Sequence, residues 1–349
     1  MKANSLNRLA WYKLKKDKLA FFALLMIIFS FLIAIFAVQI SPDDSKNANE
    51  MHIELATLRP FTSIMFLEIP KRDIVKDYFI NSFFYGNNPV VKRIPIDSYT
   101  IFEDGIKYVP FNSEIEVSYF GFYMLTEQTF YFGTDKYGRD FLSRLLYGIR
   151  ISLSVGFIAV FISLIIGVTL GLIAGFFGGI TDNIIMWFIN VIWSIPTLLM
   201  VIAITLSLGK GFWQIFVAVG LTMWVEVARI VRGQVLLIRE LEYIEAGKAL
   251  AFKPFRIIFK HIMPNVIGPV IVISAANFAA AILIESGISF LGIGVQPPMP
   301  SWGGMIKDHY MYIIMDKAYL AIIPGLAIMM LVLAFMMLGN GLRDAFDVK

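Results

Sequence analysis

The chain has 349 residues, is 58% hydrophobic and only 16% charged, and carries a formal net charge of +4. That mix, with the apolar residues gathered in long blocks, excludes an ordinary soluble domain. The absence of cysteine excludes structural disulfides and thiolate metal sites.

A hydrocarbon core of about 30 Å needs about 20 apolar residues in a helix. Six blocks reach that length: Leu19 to Ile40, Ile151 to Gly175, Ile184 to Leu208, Phe212 to Val231, Val266 to Phe290 and Tyr319 to Gly339. The expected fold is an all-α polytopic membrane protein of six transmembrane helices. The first block is too long for a typical signal-peptide core and no small-residue A-x-A pattern precedes Ser41, so an uncleaved span is expected over residues 1–40. Before it lie Lys2, Arg8, Lys13, Lys15, Lys16 and Lys18, a density that places the amino terminus in the cytoplasm.

Six spans then put residues 41–148 outside, and that segment carries 11 Lys+Arg against 15 Asp+Glu. It is too long for a connection and is expected to fold as an extracytoplasmic α+β segment inserted between helices one and two. In KRDIVKDYFINSFFYG, Ile74, Val75, Tyr78, Phe79 and Phe83 recur at near-helical spacing, and Gly86 offers a stop. From Val90 to Met124 apolar and polar residues alternate, and Asp104-Gly105 sits where a two-residue hairpin turn would. The aromatic residues of this segment read as core.

Residues 149–343 form the second region. Gly167, Gly171 and Gly175 make a small-xxx-small repeat that permits close helix contact, within a bundle or across a subunit interface. Pro196 and Pro324 interrupt the third and sixth blocks and predict kinks. Glu226 and Arg229, three apart, are placed to pair on one helix face.

Between the fourth and fifth blocks, residues 232–264 are polar and basic, with Arg232, Arg239, Lys248, Lys253, Arg256 and Lys260, and are expected to be cytoplasmic. Helix formers run from Leu241 to Phe252, and Pro254 suits the first position of a second short helix. Helices this short are marginal in water and need a partner surface, either the rest of the chain or another protein.

Glu285, followed by Ser286, lies in the fifth block, where a charge costs about 2.5–3.5 kcal/mol on insertion scales. It either lines a pathway or gate, or serves as a structural hydrogen-bonding group. His52, His261 and His309 fall outside the blocks and far apart, so neither a hydrolase nor a metal site is expected. No G-x-x-x-x-G-K-[ST] occurs, so the chain lacks the phosphate-cradling loop of an ATPase.

Three stretches resemble a known family. Glu245-Ala246-Gly247, then Ala251, then His261-Ile262-Met263-Pro264, resembles the cytoplasmic loop of type I ABC importer permeases, whose pattern is E-A-A, three residues, G, nine residues, I-x-L-P. Gly247 stands for the second alanine, Ala251 for the glycine, His261 for the isoleucine and Met263 for the leucine. FGTDKYGRDFLSRLLYGIRISLSVGF resembles the signature before helix two of C-type permeases of oligopeptide, dipeptide and nickel importers, with Gly133, Thr134, Asp135, Gly138, Arg139, Asp140, Ser143, Arg144, Leu145, Gly148, Arg150, Ser152 and Leu153 matching. SFLGIGVQPPMPSWGGMI resembles the family's loop after span five, and GLRDAFD its ending.

The resemblance implies a non-catalytic permease subunit in a bacterial plasma (inner) membrane, both termini cytoplasmic, importing peptides, oligopeptides ahead of other cargo. It implies a second homologous permease, two ATP-binding-cassette ATPase subunits docked on the loop through Glu245, Ala246, Gly247, Ala251 and Pro264, and an extracytoplasmic peptide-binding protein received by outer loops including Gln296 to Gly304. It implies no cofactor in this chain, ATP and Mg being bound by partners, and no nucleic acid; membrane lipid surrounds the spans. The remaining readings are a dipeptide or nickel importer, or, from another class, a membrane scaffold or receptor docking a non-ATPase protein.

Overall fold

The computed structural model describes residues 6–71, 78–209 and 211–346. In chain order the helices are α1 (Leu6–Lys16), α2 (Lys18–Ile35), α3 (Ala37–Ile40), α4 (Phe79–Tyr85), α5 (Phe141–Phe177), α6 (Gly179–Trp193), α7 (Thr197–Leu208), α8 (Phe212–Arg239), α9 (Glu242–Ala249), α10 (Pro254–Ile257), α11 (Met263–Phe290), α12 (Trp302–His309) and α13 (Tyr319–Phe346). The strands are β1 (Thr62–Pro70), β2 (Val91–Phe102), β3 (Gly105–Pro110), β4 (Val117–Tyr119) and β5 (Met124–Phe130).

Among the described residues, five helical runs are long and apolar enough to cross a membrane: α2, α5, α8, the stretch Pro254–Phe290 and α13. The third expected span is different. It is the pair α6 and α7, bent by 89°, because Pro196 offers no backbone N–H and biases Ile195 away from helical geometry. Pro324, by contrast, lies inside α13 without ending it. Helix α5 also starts well before Ile151. At 37 residues it is about 55 Å long, more than a bilayer core requires, and its first turns carry the signature residues.

The chain divides into two compact units. The sheet unit comprises Leu32–Ile151 and Pro297–Gly325, so it takes in a segment distant in sequence as well as the expected insert. Its antiparallel sheet has the order β4-β3-β2-β1-β5. Strand β1, which the alternation of Val90 to Met124 does not foreshadow, places Ile64 and Phe66 in one apolar cluster and Leu67 in another. Burial on both faces erases the period-two pattern. The hairpin turn is Glu103-Asp104 and not Asp104-Gly105, since Phe102 pairs with Gly105; a Cβ on Gly105 would lie 2.2 Å from the Tyr119 carbonyl oxygen. The expected helix over KRDIVKDYFINSFFYG is seen as α4, ending at Gly86 with φ +90°; Ile74 and Val75 lie outside the described residues. Aromatic Phe66 and Phe130 are core, whereas Phe61, Phe120 and Phe122 are exposed.

The bundle unit comprises Met1–Phe31, Ser152–Gln296 and Leu326–Lys349. One close seam is α5 on α8. A Cβ at Gly167, Gly171 or Gly175 would lie 2.6, 2.7 or 2.6 Å from the Cβ of Val227, Val231 or Val235, so the repeat serves contact within the chain. Arg232 grips Asp182 with two bonds of 2.5 and 2.6 Å. The expected Glu226–Arg229 pair is not among the ion pairs of the described residues; the Arg229 guanidinium lies 3.8 Å over the Trp193 ring, and Glu226 points out.

Candidate partner-docking loop and signature clasp

After α8 the chain turns at Glu240 and Leu241 into α9, which ends in a tight double bond: Ala251 N–H donates to Lys248 O (2.9 Å) and Phe252 N–H to Gly247 O (3.1 Å). This is the Schellman closure, which sets the residue after the cap in left-handed geometry. That residue is Ala251, at φ +54°. The family pattern has glycine there, and the geometry gives backbone conformation as the reason, not the close approach of two helices. A Cβ added at Gly247 would meet Phe252 at 3.4 Å, an ordinary contact, so the pattern's alanine would fit.

The loop has two faces. Ile244, Ile257, Ile258 and Ile262 are buried in a cluster with Leu172, Val227, Val231, Val235, Ile238 and Val266, which supplies the surface these short helices need. Glu245, Ala246 and Ala251 are exposed, as are Leu250, Phe255 and Phe259. Arg256 lies 4.2 Å over the Phe252 ring, which stacks on His261 at 6.2 Å. The second short helix is not separate. Helix α10 passes through a π turn, Ile258–Ile262, into α11, and Pro264, which has no backbone N–H to donate, follows directly on that turn.

The signature residues form a clasp on residues 43–58. Asp135, almost fully buried, accepts from Tyr137 N–H (2.8 Å), Arg139 N–H (3.0 Å) and Arg139 Nε (2.6 Å), and Arg144 Nε stands 3.6 Å away. Arg139 and Arg144 reach onward to Asn49 Oδ1 (2.9 Å) and the Ala48 carbonyl (3.2 Å). Thr134 Oγ1 accepts from Leu58 N–H (2.8 Å) and donates to the Leu55 carbonyl. Asp43 N–H donates to Ser143 Oγ (2.9 Å). Gly133 and Gly138 have φ +71° and +73°, and a Cβ on Gly138 would lie 1.6 Å from the His52 carbonyl oxygen. These residues read in the sequence as a subfamily mark; their binding partners, 76 to 100 residues away, carry no local signal.

Asp140 closes the first turn of α5, its Oδ1 accepting from Ser143 N–H (2.6 Å) and Ser143 Oγ (2.5 Å). Burial, reinforced by Asp43 and Asp135, pushes its pKa up to about 6 against the hydrogen bonds from Ser143. His309, which no motif singled out, ties α12 to the same clasp. Lys136 N–H donates to its Nε2 (3.3 Å), its Nδ1 faces the Met305 carbonyl (2.8 Å), and burial pushes its pKa down, so the ring acts as a neutral acceptor. Within the stretch Gln296 to Gly304, Pro297 and Pro298 are exposed but Trp302 is buried, its Nε1 donating to the Leu145 carbonyl (2.9 Å).

Glu285 is fully buried in α11. Ser289 Oγ donates to its Oε1 at 2.7 Å, and Ser286 Oγ lies 3.5 Å from Oε2. Ser289 Oγ also accepts from Val295 N–H (3.3 Å), an approach that a Cβ on Gly294 would block at 2.1 Å.

Comparison with known proteins gives this arrangement its class. Residues 167–349 match the family described as binding-protein-dependent transport system inner membrane component, and residues 5–59 match the N-terminal TM domain of oligopeptide transport permease C. The chain belongs to that family of inner membrane components and is a multi-pass membrane permease subunit, itself non-catalytic. Among its relatives, the dipeptide transport system permease protein DppC of Bacillus subtilis (strain 168) is 45% identical over 231 residues, covering 64% of this chain and 72% of the relative. The glutathione transport system permease protein GsiD of Pectobacterium atrosepticum is 38% identical, covering 69% and 80%, and the oligopeptide transport system permease protein OppC of B. subtilis is 41% identical, covering 63% and 72%. Among solved structures, the inward-facing MetNI methionine ABC transporter shares the fold, with a TM-score of 0.50 at 18% identity over 59% of this chain and 98% of the other.

Proposed function

We propose that this chain is a membrane permease of an ATP-driven importer of short peptides, working beside a second homologous permease, two ATPase subunits that bind ATP and Mg, and an extracytoplasmic peptide-binding protein. The observation that carries the reading is the two-faced loop. Its inner face is anchored on this chain's own spans, while Glu245, Ala246, Leu250, Ala251, Phe255 and Phe259 remain exposed. Exposed aromatic and aliphatic side chains beside charges suit docking of a short helix into a groove on a partner. Driving a two-state gate from 1:99 to 99:1 takes about 5.5 kcal/mol, and an element braced against spans two and four is placed to deliver it.

In this reading the loop and both termini face the cytoplasm, supported by the density of Lys and Arg there. Residues 133–144 hold residues 43–58 within the segment that this reading assigns to the binding protein's side. Glu285, with Ser286, sits beside the pathway as an anchor, coupling α11 through Ser289 to the turn at 291–296. Peptide as substrate is supported by relatives named for dipeptide, glutathione and oligopeptide transport; dipeptide and oligopeptide are separated by uptake of peptides of graded length.

The test uses the assembled complex. Glu245→Lys and Phe255→Asp, both on the exposed face, are expected to cut peptide uptake and peptide-stimulated ATP hydrolysis at least about tenfold, a loss of about 1.4 kcal/mol or more, with membrane insertion unchanged. Undiminished uptake would overturn the docking assignment. Reproducible isolation of the chain without ATPase subunits would favour the scaffold reading.

A further inference from the structure

Helix α4 has seven residues and no charged side chain, yet it exposes Phe84 at 46% and Tyr85 at 55%, with Tyr78 just before it more exposed still. Its other side is held firmly. The Phe83 ring meets Phe36 edge-on at 6.2 Å, Gln39 Nε2 donates to the Phe83 carbonyl (3.3 Å), and Asn47 N–H donates to the Tyr85 carbonyl (3.0 Å).

Arg150 sets the depth of this helix. Its guanidinium donates to the carbonyls of Ala34, Ile35 (2.9 Å) and Phe84. The fork is rigid, so the Phe84 backbone lies within one guanidinium's width of the last carbonyls of α2. Helix α2 has 18 residues, Lys18 to Ile35, about 27 Å at 1.5 Å per residue and close to the hydrocarbon thickness of a bilayer. With Lys18 at one boundary, Ile35 stands at the other, and Arg150 holds Phe84 there.

We infer that α4 and the adjoining end of α2 form an interfacial lipid anchor, in which Phe36, Tyr78, Phe84 and Tyr85 rest in the headgroup and upper acyl region of the leaflet at the Ile35 end. Phe and Tyr suit that depth, where one end of a ring is apolar and the other wet. The occupant is lipid because the patch continues the exposed flank of the span, with Leu32, Ile35, Phe36 and Ile40 all outward-facing, and because among the described residues neither that flank nor α4 carries a charged side chain. Arg150, whose charge would otherwise be costly at this level, is spent on helix-end carbonyls. The anchor fixes the height of residues 44–48, which α4 also holds through Asn87 N–H to the Asp44 carbonyl (2.7 Å).

The chain contains no cysteine, so single-cysteine variants give a clean readout in the full transporter once partner thiols are replaced. Nitroxide labels at Phe84→Cys and Tyr85→Cys, in nanodiscs of phosphatidylcholine and phosphatidylglycerol, are compared with Ile35→Cys as lipid reference and Glu103→Cys, in the charged hairpin turn, as water reference. The ratio of oxygen to nickel-chelate accessibility at both sites is expected to match Ile35 and exceed Glu103 by at least about threefold, as for side chains about 5–10 Å into the boundary. A ratio equal to that at Glu103 overturns the inference, and so does shielding from both reagents, which would show protein covering the patch. Tyr78→Cys, outside the helix, reads the same quantity if a helix variant does not assemble.

Discussion

Ala251 holds φ +54°, a region that costs a residue with a Cβ about 1–2 kcal/mol. Ala251→Gly is therefore expected to stabilise the loop by about 1 kcal/mol, read as roughly fivefold slower amide exchange from Ile244 to Phe252 in the assembled complex. Gly247→Ala, in the interior of α9 with room for its Cβ, is expected to add about as much through helix propensity. The helical run from Leu241 to Phe252 was legible in the sequence, because helix formers are local signals. Why glycine belongs at 251 was not, because a positive φ leaves no trace in hydropathy. The same holds for Asp135: a buried carboxylate among buried guanidiniums is sensible only once the strap at 43–58 supplies further acceptors.

Helix α5 shows how an element can be read correctly yet bounded wrongly. Its apolar block fits a span, but its true start at Phe141 lies among polar residues that only burial in the sheet unit makes helical partners. Its glycine repeat was visible as a pattern, and the choice between bundle and subunit interface was made by Val227, Val231 and Val235. Gly171→Ala is expected to force α5 from α8, since the new Cβ would lie 2.7 Å from the Ala228 carbonyl oxygen, which is backbone and cannot swing away. Overpacking of this kind costs about 1–3 kcal/mol; a lowered thermal midpoint with normal membrane insertion would register it, and an unchanged midpoint would refute it. Strand β1 escaped notice for the opposite reason, that both its faces are buried.

For the molecule as a whole, stability should depend on pH through the clasp. Asp140 has a folded pKa raised to about 6 by burial, and Asp43 is raised by burial too. Each contributes stability that is complete below the ordinary carboxylate pKa and lost as pH rises, for Asp140 through about pH 6. Glu50 acts the other way: burial alone would raise its pKa, but His52 and Arg93 bring it below its ordinary value, so its contribution is present above that value and lost on acidification. Asp140→Asn keeps an oxygen for the Ser143 N–H and removes the titration. Its stability relative to the unchanged chain is expected to improve from pH 4 to pH 7 by up to about 3 kcal/mol, followed as thermal midpoints of the complex across that range. A difference that does not vary with pH would exclude Asp140 as the titrating group.

Membrane class, the number of apolar blocks and the place of the basic loop between the fourth and fifth were set by the one-dimensional distribution of apolar and charged residues, because the bilayer reads length and charge directly. The clasp of residues 133–144 on 43–58 and the level of α4 beside Ile35 were decided by tertiary structure. Their energies come from buried polar groups whose partners lie tens of residues away, and such groups have a definite cost or benefit only after folding has chosen what surrounds them.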